Sequence, residues 1–285
     1  MFNIVRSAGA VVLWALAWVA AANSAQAAAT DWVAGDHVQA RLIAASDAVS
    51  ADGVLTLGIQ LRLEEGWETY WRSPGDSGVP AKFDWSAGTN FGEVSVAWPA
   101  PRRFTILGMN TFGYVGELVL PVIATVPDPT QAVSVRLSVV YAVCKDVCFL
   151  VEQDFALDIP PGPAAGDAAM MALIEKFQKA VPVPNAPNFA VERVTVFPGA
   201  TPSIEILGRA TEPFQSPDVI VEAPPGFVFQ APTVRLIAGG RRAILRAAFK
   251  QMPAAAGPLA GNMVTITIID GDRAVEQTLP AEFAD

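Results

Sequence analysis

Residues 54–63 read VLTLGIQLRL, and in that run Leu55, Leu57, Ile59, Leu61 and Leu63 alternate with Thr56, Gln60 and Arg62. A period of two places every second side chain on one face, so the segment is a β-strand with one face buried. The same alternation recurs in 37–45, 93–98, 117–126, 133–143 and 151–159. Proline- and glycine-rich runs such as RSPGDSGVP and VPDPT separate the segments and supply turns. Short strands at this spacing predict an antiparallel β-sandwich of immunoglobulin-like type over residues 30–160.

The pattern changes at residue 160. The run PPGPAAGDAAMMALIEKFQKAVPVPNAP begins as a proline-rich linker, and Asp167 is placed to cap a helix. Met170, Ile174, Phe177 and Val181 follow at helical spacing, and Pro182 and Pro184 end the pattern. Residues 161–184 are therefore expected to be a linker with a short helix, its apolar face docked on one or both sandwiches. Beyond it, FAVERVTVF, PSIEIL, DVIVEA and MVTITIID alternate again. The expected fold is all-β: two immunoglobulin-like β-sandwich domains joined by a short helical linker, the second over 185–285. That second domain holds neither cysteine nor histidine, and its expected role is scaffolding or partner docking.

The compartment decides what a cysteine pair can be. The first residues, MFNIVRSAGAVVLWALAWVAAANSAQAAAT, place Arg6 before an apolar run and Ala25-Gln26-Ala27 after it. This is the layout of a secretory signal peptide, residues 1–27, and predicts an exported, periplasmic domain pair. The net charge of −9 argues against binding a phosphate backbone, so nucleic acid is not an expected partner.

The only two cysteines, Cys144 and Cys148, lie between the alternating runs 133–143 and 151–159. The segment between the runs must be a hairpin connection with one cysteine near each end. On a continuous strand, residues four apart lie roughly 13 Å apart, beyond the reach of a disulfide; folded into a turn, they come within it. Closing so short a loop removes about 2 kcal/mol of chain entropy, and paired strands gain less. On these grounds a structural staple and a redox-active pair stand level. No resident metal or other cofactor is expected. Zinc would need four ligands, and the only histidine, His37, lies more than a hundred residues away. Copper(I) bound by the two thiols with Met109 is an alternative, because it accepts two or three soft ligands.

Three stretches, GWETYWRSPGDSGVPAKFDW (66–85), TFGYVGELVLPV (111–122) and YAVCKDVCFLVEQDF (141–155), resemble the periplasmic N-terminal domain of DsbD-type thiol:disulfide interchange proteins. The resemblance is closer to the branch linked to suppression of copper sensitivity. It implies that Cys144 and Cys148 are an exchanging pair, the catalytic residues of a protein-disulfide reductase component, and matching favours Cys148 as the nucleophile. It also implies a membrane-embedded thiol reductase as electron donor and oxidised periplasmic thioredoxin-like proteins as acceptors. Copper tolerance and cytochrome c biogenesis are the processes such a module would serve. In that family a loop covers the resting pair; here RRFTILGMN (102–110) is the matching segment, with Phe104, Ile106, Leu107 and Met109 as the expected cap. The family's membrane helices and thioredoxin-like domain have no counterpart in this sequence, so the donor is expected to be a separate protein. The rival from the structural class is a docking module with an inert disulfide.

Overall fold

The structure, a computed structural model, describes residues 29–284 except 107, 164, 185 and 254–257; the expected signal peptide, 1–27, lies outside the described residues. The first domain is built from β1 (Val33–Gly35), β2 (Val38–Ala44), β3 (Val54–Leu63), β4 (Glu68–Gly75), β5 (Lys82–Asp84), β6 (Val94–Val96), β7 (Arg102–Ile106), β8 (Met109–Val115), β9 (Glu117–Thr125), β10 (Val133–Cys144) and β11 (Cys148–Ile159). One sheet has the order β1-β2-β3-β9-β6. The other has the order β11-β10-β4-β8-β7, with β5 added beside β10. The alternation read from the sequence faces these sheets toward each other. Leu55, Leu57, Ile59, Leu61 and Leu63 of β3 are buried and share one core with Val133, Val135, Leu137, Val139, Tyr141 and Val143 of β10.

Asp167 caps the helix as expected: its Oδ1 accepts from the backbone N–H groups of Ala169 and Met170 at 3.0 and 3.1 Å. The helix, α1 (Ala168–Gln178), docks on the first domain, where Ile174 is buried with Ile43 and Val119 on the outer side of the first sheet. Gly58 makes this contact possible. A Cβ there would stand 2.7 Å from Val119 Cγ1 and 3.1 Å from Ile174 Cγ1, so the missing side chain is the seat of the helix.

The second domain holds β12 (Phe189–Phe197), β13 (Ser203–Ala210), β14 (Asp218–Glu222), β15 (Val228–Phe229), β16 (Thr233–Ile237), β17 (Arg242–Gln251), β18 (Met263–Asp270), β19 (Arg273–Pro280) and β20 (Glu282–Phe283). Its sheets have the orders β15-β17-β13-β12-β20, with β16 beside β17, and β14-β18-β19, and they enclose a core of their own. The fold is all-β with two sandwiches, in agreement with the sequence reading.

Ion pairs join the two domains. The Arg72 guanidinium donates to both carboxylate oxygens of Glu222, at 3.2 and 2.6 Å, and also to Glu276. Arg103 donates to both oxygens of Asp218 and to the Val219 carbonyl. Lys250 donates to Asp76 at 2.7 Å. Between these pairs Ile220 is buried against the core of the first domain. Asp218, Glu222, Lys250 and Glu276 of the second domain thus grip β4, the residue that follows it and β7.

Candidate functional site

Strands β10 and β11 pair antiparallel without a register shift, from Val133 opposite Ile159 to Cys144 opposite Cys148. The hairpin inferred from alternation is present along its full length. Its turn is Lys145–Val147, and the two cysteines face each other across the mouth with Cα atoms 4.2 Å apart, joined by a disulfide. Even-numbered side chains of β10 point away from the main core. Cys144 accordingly packs in a separate small cluster with Tyr70 and Ala142, on the outer face of the sheet.

The two sulfurs have unlike surroundings. Cys144 is 1 % exposed. Cys148 begins a run of exposed residues in which Phe149 and Leu150 also reach solvent, as does Val147 of the turn. Apolar side chains in a continuous exposed patch are unusual on a surface that meets only water. Behind the patch, the His37 ring stacks on Trp67 with centroids 3.8 Å apart and planes 7° apart, and Phe149 tilts against both rings. His37 Nδ1 lies 2.7 Å from Glu64 Oε2. The histidine thus belongs to the rim of the site, although it is distant in sequence.

Strand β4 supplies the other wall. The Tyr70 hydroxyl lies 3.9 Å from Cys148 Sγ, a weak O–H···S contact. Burial, with the Glu68 carboxyl nearby, pushes the Tyr70 hydroxyl above its ordinary pKa, so it stays a proton donor at physiological pH. Glu68 is directly opposite Cys144 in the strand register. It is 5 % exposed, its Oε1 finds no hydrogen-bond partner among the described residues, and burial raises its carboxyl above the ordinary range. Residues that follow the strand fold back over Tyr70. Gly78, with φ +128°, comes so close that a Cβ would lie 2.6 Å from the Tyr70 ring.

The segment expected as the cap is mostly strand rather than loop. Residues 102–106 of β7 pair with 109–113 of β8 as a hairpin, and Gly108, with φ +76°, adopts a backbone that glycine takes without strain. Register places Thr111 of β8 opposite Gly75, at the far end of β4 from Glu68 and Cys144. Phe104 and Met109 are half-buried; Leu107 and the side chain of Ile106 lie outside the described residues. Phe104 and Met109 are strand residues of the hairpin, and Arg103 ties it to the second domain.

Two site residues escaped the sequence reading. Tyr70 lies among the aromatic residues of 66–85, and nothing local separates it from Trp67 and Trp71. Trp67 and Trp71 do enter the core, but Tyr70 faces the opposite way, onto Cys148. Glu68 was overlooked because nothing local links it to Cys144. The available signal was alternation within WETYW, which puts Glu68 and Tyr70 together on the face that Trp67 and Trp71 leave. Among the described residues, no three His, Cys, Asp or Glu side chains gather as a metal site. No helix among them is long and apolar enough to cross a membrane.

Residues 39–160 match the family model described as thiol:disulfide interchange protein DsbD, N-terminal, and residues 180–284 match a domain of unknown function (DUF8393). The first span contains all three stretches that carried the resemblance and both cysteines, so the resemblance holds for the first domain. Nothing among curated proteins matches the chain. The crystal structure of the N-terminal periplasmic domain of ScsB from Proteus mirabilis is similar in fold across both domains. Its TM-score is 0.73 at 22% identity, with 90% of this chain and 99% of that one covered. The N-terminal domain of Neisseria meningitidis DsbD in the reduced form is 17% identical over 43% of this chain and 88% of that one, at a TM-score of 0.25.

Proposed function

We propose that this chain, whose first domain is of the DsbD N-terminal type, is a periplasmic thiol-disulfide exchange module that works through Cys144 and Cys148. In the forward half-reaction the Cys148 thiolate attacks a partner's disulfide. A mixed disulfide forms and one partner thiolate leaves to take a proton from water. Cys144 then attacks Cys148 Sγ, closes the ring disulfide and expels the second partner thiolate. The partner gains two electrons and the pair is oxidised. A membrane-embedded thiol reductase returns the electrons by attacking the exposed Cys148 sulfur, and oxidised periplasmic thioredoxin-like proteins are the acceptors.

The observation that carries this reading is the asymmetry of the bond: one sulfur is buried and the other is open to solvent inside an exposed apolar rim. A staple gains nothing from such a rim, whereas an exchanging sulfur needs a face on which a partner can settle. The match of residues 39–160 to the DsbD N-terminal family supports the same chemistry. The Tyr70 hydroxyl is placed to donate to the Cys148 thiolate and so to favour its formation.

The test is an equilibrium in glutathione redox buffers, with acid quenching and alkylation of free thiols. An exchanging pair gives a potential above about −300 mV, and a lower value marks a structural bond.

A further inference from the structure

We propose that Glu68 is the proton acceptor and donor for Cys144, so that a buried carboxyl and a buried thiol share one proton through the exchange cycle. The inference rests on the exchange reading of the pair and adds the group that handles its proton.

The geometry comes from strand pairing. Glu68 of β4, Cys144 of β10 and Cys148 of β11 are successive cross-strand partners, so their side chains form one row on the outer face of the sheet. Direct partners have Cβ atoms about 5 Å apart, which brings a carboxylate within reach of the neighbouring sulfur. Cys144 has no solvent to exchange a proton with. A carboxyl with an unpartnered oxygen is also an unusual thing to bury, since a desolvated polar group without a partner destabilises the fold. A proton-exchanging role beside a buried thiol accounts for both.

The other titratable groups around Glu68 leave it this task. Tyr70, on the same strand, holds its proton too tightly to accept another. On the β10–β11 turn, Lys145 lies over Gly66 and Asp146 is exposed. Glu64, in the segment before β4, is engaged with His37. Val115, opposite Glu68 on β8, does not titrate.

The step balances as follows. In the mixed disulfide, the Cys144 S–H proton moves to the Glu68 carboxylate. The Cys144 thiolate attacks Cys148 Sγ, and the Cys148–partner bond breaks, with the electron pair leaving on the partner sulfur. In the reverse direction a donor thiolate attacks Cys148 Sγ, and the Glu68 carboxyl protonates the departing Cys144 sulfur. A buried thiolate is thereby avoided in both directions.

The test uses the reduced full chain mixed with dithiobis-nitrobenzoate, whose thiolate product is coloured. The first equivalent of colour reports attack by Cys148, and the second reports ring closure by Cys144. Glu68→Gln should leave the first phase within about twofold and slow the second by about tenfold or more, with a flattened pH dependence. Glu68→Asp, which keeps a carboxyl, should recover part of the second phase. A Glu68→Gln second phase with the wild-type rate and pH profile would overturn the inference while leaving the exchange reading intact. A wild-type protein that gives no second phase would overturn both. Should Glu68→Gln not fold, carboxyl NMR on the wild type decides. A Glu68 titration that differs between reduced and oxidised protein supports proton sharing, and identical titrations overturn it.

Discussion

Cys144 and Cys148 are bonded partners at the mouth of one hairpin, yet only Cys148 faces solvent. A thiol reacts as its thiolate, and burial in apolar surroundings disfavours that form. In fully reduced protein, a maleimide should therefore modify Cys148 at least about tenfold faster than Cys144. Mass spectrometry of peptides from a timed alkylation reads the two rates separately. Equal rates would mean that the outer face opens once the bond is reduced.

Glu68 also marks the pH dependence of stability. Burial raises its folded-state pKa above the unfolded value. Its stabilising contribution is then fully present below the unfolded pKa of about 4.3 and is lost as pH rises through the folded value. Glu68→Gln does not ionise, so its melting temperature should gain on the wild type as pH rises from about 4 toward neutrality. The gain should level off once the wild-type carboxyl is ionised. A difference between the two proteins that stays constant with pH would contradict the assignment.

The second domain holds the strand that carries Glu68 and Tyr70. Arg72 follows Tyr70 by two residues and is bound by Glu222 and Glu276 from β14 and β19. Arg72→Ala leaves two carboxylates without their cation in a half-buried interface. It should lower stability by about 1–3 kcal/mol in denaturant titration. A loss under about 0.5 kcal/mol would place these pairs among the surface bridges that contribute little.

Features carried by local pattern were legible in the sequence. The 133–159 hairpin follows from a period of two on both sides of the cysteines. The helix start at Asp167 follows from a side chain that can cap backbone N–H groups. Features that depend on which strands meet were not legible. Glu68 and Cys144 are 76 residues apart by number, and only the β4–β10 register joins them. Arg72 and Glu222 are 150 apart. The apolar residues of 102–110 are expected as a cover because the family resemblance puts a covering loop at that place in the chain. The register of β7 with β8, from Arg102 opposite Gly113 to Ile106 opposite Met109, makes the segment a hairpin. The role of Gly58 as the seat of Ile174 emerges only once the helix is in place.

The most direct test of the central claim is trapping of the exchange intermediate in cells that contain the membrane donor. Cys144→Ala removes the resolving thiol and leaves the exposed one, so a mixed disulfide has no fast intramolecular exit. After acid quenching, non-reducing gels should show Cys144→Ala in a reducible adduct with a thiol partner, and Cys148→Ala in none. Absence of an adduct from both variants would contradict exchange and leave the bond as a structural staple.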